Sequence, residues 1–110
     1  MSDSRIFDLK VMSVFPYGER EKNVFFHGDG FKTRIIELPA GGAMPDCQMS
    51  TAVIFYVVSG EVEITIGAEK HLLNEGFCLV GESSVYSMKS PTGVKILCVQ
   101  IETGKSNLQP

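Results

Sequence analysis

Residues 52–66 read AVIFYVVSGEVEITI, and no other stretch restricts the fold as strongly. The first half, Ala52 to Val58, is unbroken apolar and rich in β-branched and aromatic side chains. That pattern suits a strand covered on both faces, in a packed sandwich or a closed barrel. The second half alternates: Val62, Ile64 and Ile66 point one way, and Glu61, Glu63 and Thr65 the other. Ser59 and Gly60 read as a turn between the halves. Glu61 and Glu63 thus lie on a solvated strand face and do not form a catalytic carboxylate pair.

The rest of the chain is punctuated in the same way. Phe7, Leu9 and Val11 alternate with Asp8 and Lys10 as in a half-buried strand, and a polar loop, GEREKN, precedes strand Val24 to Phe26. HGDG at 27–30 is a turn, Phe31 to Leu38 a strand, and PAGGAMPDCQMS at 39–50 a loop by composition. Gly67 to Glu69 turn the chain into Lys70 to Leu73; FCLV, Val85 to Lys89 and Val94 to Ile101 are the remaining strands. No segment carries a convincing helical period. Short strands with turn signals at roughly 8–12-residue spacing indicate an all-β sandwich or barrel. A chain of 110 residues suits one domain. We expect N-terminal strands over 5–30, a core over 31–101 and a polar tail over 102–110.

Composition narrows the function by exclusion. Lys and Arg number 10 against 13 Asp and Glu, a net charge of −3, and the basic residues are scattered. Nucleic acid is therefore not an expected partner, because phosphate neutralisation requires clustered cations. The apolar run Ala52 to Val58 is far shorter than the roughly 20 residues that span a bilayer. The opening MSDSRIFDL lacks the basic and apolar regions of a secretory leader, so a cytoplasmic location is expected. Cys47, Cys78 and Cys98 are odd in number and without CxxC spacing, and we read them as reduced thiols.

The segment GGAMPDCQMSTAVIFYVVSG, from Gly41 to Gly60, resembles the first motif of the cupin superfamily. That motif runs Gly, five residues, His, any residue, His, three or four residues, Glu, six residues, Gly. Counted from Gly41, Cys47 and Met49 stand at the histidine positions and Val53 at the glutamate; the alternative loop count puts Asp46 and Gln48 there instead. LLNEG, ending at Gly76, resembles the turn into the second motif, whose histidine position falls on Ser87, or on Tyr86 in a register shifted by one. The resemblance covers about residues 31–101 and implies a jelly-roll barrel, the double-stranded β-helix, with antiparallel sheets.

A cupin ordinarily holds a divalent metal with three His and one Glu, and here those ligands are replaced. Val53 has no lone pair, while Cys47 and Met49 are sulfur donors suited to soft ions. We therefore expect no metal and no other cofactor. The expected pocket is lined by Cys47, Met49, Val53, Phe55, Tyr86 and Met88, and holds a small, partly apolar molecule. An inward set this close to neutral disfavours strongly charged ligands. The alternative is an enzyme: an isomerase or epimerase using Tyr86 as an acid, a dioxygenase-like protein with an atypical metal site, or thiol chemistry at Cys47. No catalytic residue is assigned, since neither motif supplies a base. His27 in a turn and His71 in a hairpin strand read as surface residues. The family implies a homodimer, with Ile6 to Val11 available as an edge strand.

Overall fold

The computed structural model describes residues 5–102. A kinked 3₁₀ helix, Tyr17–Asn23, precedes eight strands: β1 (Val24–Gly28), β2 (Phe31–Leu38), β3 (Ala43–Met49), β4 (Val53–Ile66), β5 (Glu69–Asn74), β6 (Cys78–Gly81), β7 (Ser84–Lys89) and β8 (Val94–Ile101). All pairings are antiparallel. One sheet runs β1-β2-β8-β4-β6 and the other β5-β4-β7-β3, so β4 belongs to both. Apolar side chains from both inner faces fill the space between them, among them Leu38, Phe55, Val57, Val62, Ile64, Tyr86, Ile96 and Cys98.

Ser59 and Gly60 were expected to turn the chain; instead β4 runs through them as one 14-residue strand that bends. A bulge between Val57 and Ser59 breaks the β8 register, and the strand then changes partners, from β6 and β8 to β5 and β7. A bulge increases local twist, which lets one strand serve two sheets. Gly60 has φ +86°, and a β-carbon there would overlap the Gly93 carbonyl. Ser90 fastens this corner: its hydroxyl donates to the Glu61 carbonyl (2.6 Å) and accepts from the Gly93 amide (2.8 Å). Its backbone bonds to Gly41 and Gly42 tie in the β2–β3 loop.

Other expectations need correction. Residues 39–50 were read as loop, yet Ala43–Met49 is a strand, disguised by Pro45 and by a bulge between Met44 and Cys47. Ile6 to Val11 is not a strand; Ile6 and Val11 are 96% and 75% exposed, because an alternating segment without a partner strand gains nothing from its pattern. The polar loop GEREKN is largely 3₁₀ helix. The unbroken run before Ser59 is not covered on both faces, for Tyr56 points out of the sheet and is 40% exposed. Tail residues 103–110 lie outside the described residues. Among the described residues no helix is long and apolar enough to cross a membrane.

The segment before the helix is held from below. Lys95 is buried, and its Nζ donates to the carbonyls of Lys10 (3.0 Å) and Met12 (2.7 Å). Asn23 is likewise buried and bonds both backbone groups of Phe15, at 2.8 and 3.0 Å.

Replacing Gly60 by Ala combines a left-handed backbone with a steric collision. We expect it to cost upwards of about 2 kcal/mol, against less than about 1 kcal/mol for Gly18→Ala, where a β-carbon meets open space. Urea unfolding of the two variants beside the parent measures the difference.

Candidate functional site

Among the described residues β2 and β3 do not pair: β3 is an edge of its sheet, and β2, covered by β1 over Phe31–Arg34, has no strand on that side over Ile35–Leu38. The barrel is therefore open along a seam between them. The walls come from Arg34, Ile36 and Leu38 of β2 and Met44, Cys47 and Met49 of β3, with Cys98 of β8 at the back. Phe15, Tyr17, Arg20 and Asn23 from the helix and the residues before it cover the top. The enclosed space is about 40 Å³, where one water needs roughly 10–15 Å³. A small polar head fits there; a whole drug-sized molecule does not.

Strand register explains which side chains enter the seam. A regular strand would put Met44 and Cys47 on opposite faces, and the bulge between them returns both to the interior. Met44 then stands opposite Met88, and Cys47 opposite Tyr86. Asp46 and Gln48 are exposed, so of the two loop counts the structure selects the one that turns Cys47 and Met49 inward. It also turns Tyr86 inward rather than Ser87, which pairs with Thr65.

The expected pocket residues divide. Cys47 and Met49 line the seam, while Val53, Phe55, Tyr86 and Met88 are packed into the core behind it. The Tyr86 ring meets Phe55 edge-on at 5.6 Å, and its hydroxyl donates to the Glu82 carbonyl at 2.6 Å. A side chain at Gly81 would occupy the place of that hydroxyl. Burial, and then the nearby Glu82 charge, raises the phenol pKa, which keeps it protonated. Both histidines stand apart: His27 lies 2.8 Å from Glu102, and His71 lies 3.3 Å from Glu69.

Two cations that the sequence reading did not single out, Lys32 and Arg34, face inward. In the β2–β8 ladder Arg34 lies opposite Cys98 and Lys32 opposite Gln100. Cys98 is core, and Gln100 reaches the buried Met49 sulfur at 3.8 Å, so this is the interior face. The inward set is thus cationic rather than nearly neutral.

The metal position of the fold does not fit these residues. Val53 cannot coordinate, the Tyr86 hydroxyl is committed to a backbone carbonyl, and no three His, Cys, Asp or Glu side chains converge among the described residues.

The three cysteines are free and differ in access: Cys78 is exposed, Cys47 half-buried and Cys98 buried. Burial pushes the Cys98 thiol up from 9.0 to about 12, against the opposing pull of Arg34 and Lys32. Below 9.0 both folded and unfolded chains keep this proton. Between 9.0 and about 12 only the unfolded chain loses it, so stability falls as pH rises through that window. Cys98→Ala should remove part of this alkaline slope in urea unfolding. At pH 8, iodoacetamide labelling read by mass spectrometry should modify Cys78 first, Cys47 more slowly and Cys98 only after unfolding.

No family model matches the sequence, and no curated protein does. Solved structures do match. A conserved protein with a double-stranded β-helix domain from Klebsiella pneumoniae superposes with a TM-score of 0.75 at 18% identity, covering 88% of this chain and 89% of that one. The Cnp3 cupin domain of Schizosaccharomyces pombe gives 0.73 at 16% identity, covering 92% of this chain and 71% of that one. A cupin protein from Bacteroides fragilis gives 0.61 at 28% identity, covering 70% of each. With the shared strand β4, the two antiparallel sheets and the glycine-bounded first motif, these matches show that the chain has the cupin fold, a jelly-roll β-barrel.

Proposed function

We propose that the protein is a metal-independent small-molecule-binding barrel whose ligand enters along the β2–β3 seam. The supporting observation is the seam itself. It is walled by Leu38, Met44, Cys47 and Met49 and backed by Cys98, a lining that gains affinity by burying apolar ligand surface. The two methionines add adaptability, since unbranched thioethers repack around different shapes at low cost. With about 40 Å³ enclosed, the ligand inserts one small group and rests the remainder against the helix side of the opening.

A thermal-shift screen of a metabolite library tests this reading. A ligand at a hundredfold excess over its Kd stabilises by about 2.7 kcal/mol, a shift on the order of 10 °C for a domain of this size. Met44→Trp fills the seam and should abolish the response to any hit. A library that shifts nothing, or hits that survive this substitution, would count against the seam as the site.

We also propose a homodimer, formed through the outer face of the β1-β2-β8-β4-β6 sheet rather than through an N-terminal strand. Register places Ile54, Tyr56, Leu97, Val99 and Val80 together on that face. Tyr56 is 40% and Val80 72% exposed, and Phe77 beside them is also exposed. An uncharged patch has no sign with which to repel its own copy, so two-fold self-packing suits it. Sedimentation should show a dimer that Tyr56→Arg with Val80→Glu converts to monomer; a monomeric parent would overturn this.

A further inference from the structure

The interior cations bear on the chemistry of the inserted group. Arg34 lines the seam, and its Nε is buried with no hydrogen-bond partner; the side-chain carbonyl of Gln100 is buried and unpartnered as well. Neither Arg34 nor Lys32 makes an ion pair among the described residues. The acids nearby are otherwise placed. Glu102 on β8's side is taken by His27 at 2.8 Å, and Glu37 at the seam rim is exposed and bonds to neither seam arginine. Arg20 is occupied over the Tyr17 ring and with the Tyr17 carbonyl.

A guanidinium with a desolvated, unsatisfied N–H is costly to the free protein, and removing one partner from a charged group costs more than removing one from a neutral group. Such an arrangement is retained where something else supplies the missing acceptor. The planar donor fork of Arg matches a carboxylate, whose two oxygens accept in parallel. Gln100 lies diagonally across the ladder from Arg34, one pairing step away, at roughly 7–8 Å between backbones. One small molecule spans that interval.

We propose that the seam binds a small carboxylate bearing an adjacent hydroxyl. Arg34 holds the carboxylate, Lys32 adds charge from the next inward position, and the Gln100 carbonyl accepts from the hydroxyl. The short carbon body lies against Met44 and Met49. This rests on the seam being the binding site and adds the chemical class of its ligand. It departs from the expectation that strongly charged ligands are disfavoured.

Lactate and its neutral counterpart lactamide are the probes, read by the methyl resonances of labelled methionines and by melting temperature. Lactate should shift the Met44 and Met49 signals saturably and raise the melting temperature, and lactamide should bind at least tenfold more weakly. Arg34→Met should lose the lactate response by tenfold or more while melting no lower than the parent, because it removes an unsatisfied buried donor. Lys32→Gln should weaken lactate severalfold, and Arg34→Lys should keep a reduced response, which guards against misfolding as the cause. Equal binding of lactate and lactamide, or undiminished lactate binding by Arg34→Met, would overturn the carboxylate assignment. Neutral apolar probes moving the same methionine signals while no carboxylate does would overturn it and leave the binding barrel standing. Silence of those signals toward every probe would overturn both.

Discussion

The bend in β4 at Gly60 is the constraint on which the molecule depends. One strand carries the hydrogen-bond ladders of both sheets, so the angle between the sheets is set inside a single continuous backbone rather than by side-chain packing across a gap. The Gly93 carbonyl sits where a side chain at residue 60 would be, which permits the β7–β8 turn to close over the corner. Ser90 then supplies bonds to both sides of it with one hydroxyl, donating to Glu61 and accepting from Gly93. A buried hydroxyl that both donates and accepts has its desolvation cost offset, and each such bond contributes a net of about 1 kcal/mol.

Because the corner is fixed at one end, the barrel can afford to be open at the other side. Strands β2 and β3 are joined through the loop that Ser90 anchors, and among the described residues they do not pair with each other. The seam is the outcome. Its floor is core, its lid is the helix segment stapled by Asn23, and its walls mix sulfur with an unsatisfied guanidinium. In the proposed binding barrel, stability and binding are divided: Val57, Val62 and Ile96 are buried in the core, while Arg34, Cys47 and Met49 line the seam.

The sequence was legible where one period held from end to end. Strands β2 and β8 appear with the boundaries their patterns imply, since neither contains a bulge in their shared ladder. Strand β3 was hidden because its bulge interrupts the period and Pro45 and Asp46 carry the composition of a loop. The bend in β4 was mistaken for a turn because Ser-Gly signals a departure from ideal strand geometry without giving its angle. At the site, the spacing from Gly41 pointed to Cys47 and Met49. It could not point to Lys32 and Arg34. FKTRIIEL has two partly apolar faces, and which one goes inward is decided by the partner strand some sixty residues later in the chain.

That last pairing also sets the order of assembly. Strand β8 is the middle of its sheet, between β2 and β4, yet it is the last strand in sequence, and Phe31 meets Ile101 across it. Until residues 94–101 are available, β2 and β4 have no common neighbour and half the barrel lacks its central rib. Lys95 then reaches back to the carbonyls of residues 10 and 12. The chain therefore pays nearly its whole loop-closure entropy before the first sheet becomes cooperative, which favours slow folding and leaves β4's apolar first half uncovered on a nascent chain.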